Sequence, residues 1–127
     1  MLAEGIVKQV IGPVIDVEFP KSHRPSVYNA VRVTSDTGMK IDLTAEIHCL
    51  LGDGVARCVA MSSTDGVGRG MKVVDTGAPI SVPVGSKTLG RLFNVLGNVT
   101  DEKPFPSDVP RSPIHRSAPL LVDLNTQ

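Results

Sequence analysis

Aromatic residues are scarce in this chain of 127 residues, which contains no tryptophan, one tyrosine and three phenylalanines. Binding modules for single-stranded nucleic acid stack bases on aromatic side chains inside basic grooves. The 13 Lys and Arg residues equal the 13 Asp and Glu residues, so the formal net charge is zero and a general basic surface is also missing. Both shortages argue against nucleic acid as a partner and favour proteins.

Cysteines are few as well: only Cys49 and Cys58 occur, without a second pair or a histidine cluster at the spacing of metal ligands. They are predicted to be buried free thiols of a reducing compartment. No apolar run approaches the roughly 20 residues that a membrane-spanning helix requires. The sequence after Met1 also lacks the regions of a signal peptide. The chain is therefore expected to be soluble, unprocessed and without direct membrane insertion.

The first half of the sequence alternates apolar and polar residues with a period of two, which is typical of half-buried β-strands. The clearest run covers residues 39–48, and Gly12-Pro13 separates two earlier strands. Asp36-Thr37-Gly38 predicts a turn, and the GDG of residues 52–54 predicts a hairpin, because glycine permits positive φ. Six short strands separated by turns predict a mainly β fold, a six-stranded closed antiparallel β-barrel over residues 1–77.

The pattern changes over residues 78–127. Two prolines in APISVPVG predict an extended connector or edge segment. Leu89, Leu92, Phe93 and Leu96 recur at i, i+3, i+4 and i+7, which predicts one short helix over residues 88–96 that Gly97 ends. Residues 98–119 contain five prolines and too little apolar material for a core of their own. This second part is expected to need something else to pack against.

The segment around Lys87 looks like a phosphate-binding loop but fails its spacing. Such a loop needs G-x-x-x-x-G-K-[ST], so that backbone N–H groups converge on phosphate oxygens while the hydroxyl holds magnesium. Here Ser86 stands directly before Lys87-Thr88, and Pro79 and Pro83 remove two upstream amides. Lys87 is predicted to be a solvated lysine in the first turn of a helix.

Other candidate groups are equally weak. His23, His48 and His115 are far apart in the sequence and are predicted to be surface or hydrogen-bonded structural residues. Asp101 and Glu102 are adjacent in a proline-rich loop and are predicted to be solvated. No catalytic, cofactor-binding or metal-binding residue is therefore predicted.

Several stretches together resemble one protein family. GPVIDVEFP, YNAV, TDGVGRGMKVVDTGAPISVPVGSKTLGRLFNVLG, DEKPFP and PIHRSAP occur in the order and spacing of the N-terminal region of the F-type ATP synthase beta subunit, from about residue 5 to residue 127. The VPVG..TLGR..NVLG pattern is also shared, more loosely, with sister rotary and export ATPases. PIHR.AP together with VVDTGAPI is what points to the beta subunit.

This resemblance implies a barrel at residues 1–77 that packs beside others into a crown of alternating alpha and beta subunits. Residues 78–127 would be the truncated start of an α/β nucleotide-binding domain. Alpha subunits would be partners through the crown, with gamma and other stalk subunits in the intact complex. That complex would lie peripherally on the cytoplasmic face of a bacterial plasma membrane, or on an organellar membrane.

The same resemblance implies that ATP or ADP and Mg²⁺ belong to the intact parent protein, an ATP synthase. The family's phosphate loop, catalytic carboxylate and adenine-stacking aromatics come later than Gln127, so the chain by itself is expected to be inactive. Two alternatives stay open: an N-terminal piece of a vacuolar-type or type III export ATPase, and a freestanding β-barrel binding module.

Overall fold

The computed structural model of the chain describes residues 3–35, 38 and 40–124. Two compact units make up the chain, Met1–Ile80 and Ser81–Gln127. The strands of the first unit are β1 (Ala3–Ile11), β2 (Val14–Glu18), β3 (Asn29–Ser35), β4 (Ile41–Gly52), β5 (Val55–Ala60) and β6 (Lys72–Pro79). The second unit contains β7 (Ser81–Pro83) and β8 (Arg111–Pro113), with 3-10 turns at Ser86–Thr88 and Leu121–Asp123.

The six strands of the first unit close into a barrel in the order β1-β2-β5-β4-β3-β6. All neighbouring strands are antiparallel, and β6 closes the barrel by pairing with both β1 and β3. Closure hydrogen-bonds every strand on both sides, so the sheet has no open edge. The predicted mainly β fold with a closed six-stranded antiparallel barrel is confirmed.

The alternation of apolar and polar residues along the strands explains which side chains form the core. In β4 the residues at positions 41, 43, 45 and 47 are buried while their polar neighbours point outward, as predicted. The other strands supply equally buried side chains, namely Val7, Ile15, Val17, Val31, Val33, Ala56, Cys58 and Val73. Met39 and the predicted turn residues Asp36 and Thr37 lie outside the described residues.

Two glycine positions show why the backbone takes this path. At the β4–β5 hairpin Gly52, Asp53 and Gly54 all have positive φ, of 91°, 54° and 79°, so the predicted GDG turn is confirmed. Gly5 in β1 lies against β2, where an added Cβ would be 2.7 Å from the Glu18 carbonyl oxygen and 2.8 Å from Phe19 Cδ1. The ring of Phe19 therefore fills space that only a glycine leaves open.

The prediction of a helix over residues 88–96 is wrong. The 3-10 turn ends at Thr88, and Gly90 then takes a left-handed conformation with φ of 72°, which interrupts any α-helix. Further along, Asn94 Oδ1 accepts hydrogen bonds from the backbone N–H of Leu96 and of Asn98. An asparagine that caps its own turn competes with helix formation.

The segment after the barrel behaves as predicted for an extended edge. β7 pairs with β8 in a two-stranded antiparallel sheet in which Val82 lies opposite Ser112. Pro83 and Pro113 stand at the ends of these strands, where a missing N–H costs no ladder hydrogen bond.

Candidate functional site

One end of the barrel is crossed by the connection between β2 and β3, residues 19–28, here called the strap. Its first residue, Phe19, donates its backbone N–H to the Gly54 carbonyl at 2.8 Å, and its last, Tyr28, donates to the Ile47 carbonyl at 2.9 Å. The His23 N–H bonds back to the Pro20 carbonyl at 2.9 Å. The strap is thus fixed to β4 and to the β4–β5 hairpin by backbone hydrogen bonds.

Asp75 is a carboxylate buried inside the barrel at the strap end. It lies two residues after buried Val73 on the inward face of β6 and is 1% exposed. His23 Nε2 lies 2.7 Å from Asp75 Oδ2, while Asn29 Nδ2 and the Gly77 N–H donate to Oδ1 at 3.1 and 2.9 Å. A buried carboxylate is tolerated when it is hydrogen-bonded in this way. One side chain therefore joins the strap, the start of β3 and the end of β6.

Sequence reasoning missed Asp75, although one signal was present. Period-two alternation puts Val73 and Asp75 on the same face of one strand. The three histidines were predicted to be surface or hydrogen-bonded structural residues: His23 is hydrogen-bonded to Asp75, and His48 and His115 are exposed, so the prediction is confirmed. Among residues 3–35, 38 and 40–124, no three His, Cys, Asp or Glu side chains gather as ligands for a metal ion.

Two grooves lie close to the strap. The first, the strap groove, has a volume of about 680 Å³ and lies between the strap and the β4–β5 hairpin. Its lining includes Lys21, Arg24, Pro25, Leu51 and Asp53. The second, the β1 groove, has a volume of about 480 Å³ and is lined by parts of β1, β2, β6 and their flanking residues, including Glu4, Ile6, Glu18 and Lys72.

The two cysteines differ in their surroundings. Both are free thiols, but Cys58 is buried inside the barrel while Cys49 is half-buried. Burial raises the pKa of Cys58 to about 12, and the carboxylates of Asp16 and Asp75 add to the effect. The prediction of buried thiols is therefore confirmed for Cys58 and wrong for Cys49.

On the outside of the barrel, an ion pair links neighbouring strands. Asp16 of β2 lies opposite Arg57 of β5, and Arg57 Nε donates to Asp16 Oδ1 at 3.0 Å. The hydrogen bond with Asp16 raises the pKa of Arg57. Asp16 is buried although its side chain points outward, because the longer arginine covers it.

Arg91 organises the loops of the second unit. Its Nε donates to Asp101 Oδ2 at 2.6 Å and its Nη2 to Oδ1 at 3.0 Å. It also donates to the carbonyls of Lys103 and Pro104, and its guanidinium carbon lies 5.2 Å from the centre of the Phe105 ring. The prediction that Asp101 is solvated is wrong, because a guanidinium ten residues away in sequence covers it.

The electrostatics of this pair follow from its hydrogen bonds. The bond to Arg91 holds the pKa of Asp101 well below its usual range, and the same bond raises the pKa of Arg91. Glu102 is exposed, as predicted, and has a positive φ of 61°. The carboxylates of Asp101 and Glu102 thus have different surroundings and do not act as a pair.

Lys87 lies on the surface in the 3-10 turn, with its Nζ 3.9 Å from Asp108 Oδ1. The Thr88 hydroxyl donates to the Gly85 carbonyl at 2.6 Å, and the N–H groups of Thr88 and Leu89 bond within the turn. The hydroxyl and amides that a phosphate loop would direct at a ligand are thus occupied locally. Lys87 is solvated, as predicted, but in a 3-10 turn and not in an α-helix.

Among the described residues, the helical turns are all too short and too polar to span a bilayer.

These features define a class of domain: a small, fully closed antiparallel barrel in which a buried carboxylate ties the strap to the strands and grooves lie beside the strap. Residues 7–77 match the family model described as the ATP synthase alpha/beta family, beta-barrel domain. The match covers more than half of the chain and extends from β1 into β6, which is the barrel itself. The chain belongs to the ATP synthase alpha/beta family.

Proposed function

We propose that this chain is the N-terminal portion of the catalytic beta subunit of a rotary, proton-translocating F-type ATP synthase. In this role the barrel holds alternating alpha and beta subunits together in a hexamer. The family match over residues 7–77 is the observation that carries the proposal. VVDTGAPI, which begins in β6, and PIHRSAP, which begins at the end of β8, support the beta subunit in particular.

The structure of the barrel suits a mechanical task. All of its strands are paired on both sides, and the buried Asp75 ties the strap to β3 and β6. Regions with dense hydrogen bonding and few open edges are the last to open by local unfolding. A ring of such barrels would stay fixed at one end of the hexamer while other parts of the subunits move during rotation.

The second unit supports a place at the start of a nucleotide-binding domain. Large apolar side chains remain exposed on it, including Leu89 at 79%, Leu121 at 81% and Val122 at 87%. Covering each would be worth about 1.5–3 kcal/mol, so further polypeptide has a reason to pack there. Residues 1–127 contain no G-x-x-x-x-G-K-[ST] sequence. We therefore assign ATP, ADP and Mg²⁺ to other parts of the parent protein.

In the same proposal, the partners are alpha subunits through the barrels, with gamma and other stalk subunits in the whole complex. The complex lies peripherally at the cytoplasmic face of a bacterial plasma membrane or at an organellar membrane, and the chain contacts neither nucleic acid nor the bilayer interior. A subunit of a vacuolar-type or type III export ATPase is the second candidate, favoured by the shared VPVG..TLGR..NVLG segment of residues 82–97.

Competition during assembly tests this function. The 127-residue chain is added while F-type hexamers are reconstituted from separate alpha and beta subunits. We expect complexes of the chain with alpha subunits in native mass spectrometry, a lower yield of Mg²⁺-dependent ATPase, and no ATP hydrolysis by the chain alone. Asp42→Ala, on the barrel surface, should compete equally well.

Two results would count against the proposal. A chain that binds no alpha subunit at any ratio would contradict it. Preferential binding to the corresponding subunit of a vacuolar-type or export ATPase would favour the second candidate instead.

A further inference from the structure

We propose that the middle of the strap, residues 20–27, opens as one unit while β1–β6 stay paired, and that the contact between His23 and Asp75 is the latch that keeps it closed. In the open state this segment leaves the end of the barrel and water reaches the Asp75 carboxylate. The inference goes beyond the proposed function, because it concerns the barrel by itself and does not depend on the complex that the barrel joins.

The middle of the strap has few contacts that hold it in place. Six of its eight residues are exposed, and the other two are the half-buried His23 and the buried Pro25. Its backbone hydrogen bonds are short-range: the Pro20 carbonyl accepts from the His23 N–H at 2.9 Å, and the Ser26 carbonyl accepts from the Asn29 N–H at 3.2 Å. Segments with few buried contacts open at a low free energy.

His23 supplies the side-chain contact between this segment and the strands. Its Nε2 lies 2.7 Å from Asp75 Oδ2, and its ring stands edge-on to the ring of Phe19 with the centroids 5.5 Å apart. Within the described part of the chain, no other side-chain hydrogen bond or ion pair joins residues 20–27 to the strands. This one contact therefore decides whether the segment stays on the barrel.

The latch can open without leaving an unsatisfied buried group. Asp75 keeps both donors to its Oδ1, the Asn29 side-chain amide and the Gly77 N–H, because these residues belong to β3 and β6. The imidazole of His23 is 32% exposed while closed, so it and Asp75 Oδ2 can exchange their hydrogen bond for bonds to water. Breaking a hydrogen bond is costly mainly where a partner stays buried and unpaired. The contact therefore suits a reversible latch.

Tyr28, the last residue of the strap, is strained in the closed state. Its φ of 77° is left-handed, which is rare for a residue with a bulky side chain. Such conformations persist only where the surroundings enforce them, and they occur at segments that switch between two states. Opening lets Tyr28 return to an ordinary φ, so this strain favours the open state and the His23 contact opposes it.

The other end of the strap stays in place. Phe19 is 3% exposed as a member of the apolar core, and its N–H bonds to the Gly54 carbonyl at 2.8 Å. Opening therefore stops at Phe19, and the barrel keeps its core while residues 20–27 move.

Trypsin cleavage between Lys21 and Ser22 measures the open state. Trypsin does not cut before proline, so the Arg24–Pro25 bond resists and Lys21–Ser22 is the one site inside the segment. A protease must extend the chain around the bond that it cuts, so the rate follows the population of the open form. The 127-residue chain is digested under native conditions, and the cut positions are read by mass spectrometry. Each rate is divided by that of a peptide of residues 15–30 with the same substitution.

We expect His23→Ala to speed this cleavage by about tenfold or more, because the latch is lost. His23→Gln retains a side-chain N–H for Asp75 and should stay within about twofold of the wild type. Tyr28→Gly takes a positive φ without strain and should slow the cleavage by about threefold. Arg24→Gln is the matched control: Arg24 is exposed in the same segment and has no ion pair with a described residue, so its rate should equal that of the wild type.

Cleavage after Arg32, inside β3, reports unfolding of the whole barrel and should not rise in His23→Ala. A parallel rise at Lys21 and Arg32 would mean that the strap opens only with the barrel, which would overturn the inference. Equal rates at Lys21 in the wild type and His23→Ala would show that His23 is not the latch. Faster cleavage of Tyr28→Gly would show that Tyr28 does not drive opening. The proposed function is tested separately, by binding of alpha subunits.

Discussion

At the scale of single residues, Asp75 is the side chain that joins the strap, β3 and β6 inside the barrel. Asp75→Ala removes the acceptor of the buried Asn29 amide and of the Gly77 N–H and leaves His23 without its partner. Loss of a buried hydrogen-bonded carboxylate leaves unsatisfied donors, so we expect the free energy of unfolding to fall by about 3 kcal/mol in urea denaturation.

Asp42→Ala is the matched control for that change. Asp42 pairs with Arg32 on the surface, where both side chains are more than half exposed, so its loss should cost under about 1 kcal/mol. Equal effects of the two substitutions would contradict the anchoring role of Asp75.

Gly5 provides a steric test of how tightly β1 and β2 approach. In Gly5→Ala the new methyl group would overlap the Glu18 carbonyl and the Phe19 ring, so the free energy of unfolding should fall by about 1–3 kcal/mol. Gly68→Ala is the control, because nothing lies within 4 Å of its added Cβ. A Gly5→Ala variant as stable as Gly68→Ala would show that the barrel wall is looser than described.

Because Cys58 is buried, we predict that the stability of the barrel depends on pH in the alkaline range. Its pKa rises from 9.0 to about 12 on folding, so the folded state keeps a proton that the unfolded state loses. The stabilisation is fully present below pH 9 and is lost as the pH rises toward about 12, by up to about 1.4 kcal/mol per pH unit.

The Cys58→Ala variant isolates this contribution. The difference in unfolding free energy between wild type and variant should be constant below pH 9 and should shrink above it. A difference that stays the same up to pH 11 would show that the Cys58 thiol ionises in the folded protein as easily as in the unfolded chain.

At the scale of elements, the loops of the second unit depend on Arg91. Lysine cannot reproduce the planar set of donors that serves both oxygens of Asp101 and two backbone carbonyls. Arg91→Lys should therefore loosen residues 90–105, seen as faster amide exchange and as loss of the ring contact between Phe93 and Phe105 in NMR spectra.

Lys87→Arg is a control on the same unit, since Lys87 is exposed and only distantly paired. Amide exchange over residues 90–105 that is unchanged in Arg91→Lys would mean that the loops keep their shape without the guanidinium.

The strands could be predicted from the sequence because alternation is a local property. Over residues 41–47 the apolar side chains are buried and the polar ones are exposed or half-buried, so the burial of each residue follows from its own type. The prediction of a helix over residues 88–96 was wrong because it relied on the spacing of apolar residues alone. Gly90 and Asn94 both favour turns, and this equally local preference prevails in the structure.

The polar contacts of Asp75 and Asp101 could not be predicted from local sequence patterns. Asp75 meets His23 across 52 residues, and this contact exists only because the barrel closes and brings the strap over its end. Adjacent acidic residues in a proline-rich loop predict solvation of Asp101, because nothing in the local sequence shows that Arg91, ten residues earlier, folds back onto it. Alternation gave the direction of each side chain but not its partner.

At the scale of the whole molecule, the two units differ in the contacts that stabilise each of them internally. The first has a continuous apolar interior, including Val31, Val33 and Ile47 at 0% exposure. The second relies on the Arg91 cluster and the short β7–β8 sheet while Leu89, Leu121 and Val122 remain exposed. The first unit thus has an apolar core of its own, whereas large apolar side chains of the second unit remain exposed.

Hydrogen–deuterium exchange of the chain, free and with an F-type alpha subunit, tests this account most directly. We predict slow exchange in β1–β6 of the free chain, fast exchange at residues 114–124, and new protection within the first unit when the alpha subunit binds. Fast exchange throughout the free barrel, or protection gained only within Ser81–Gln127, would contradict it.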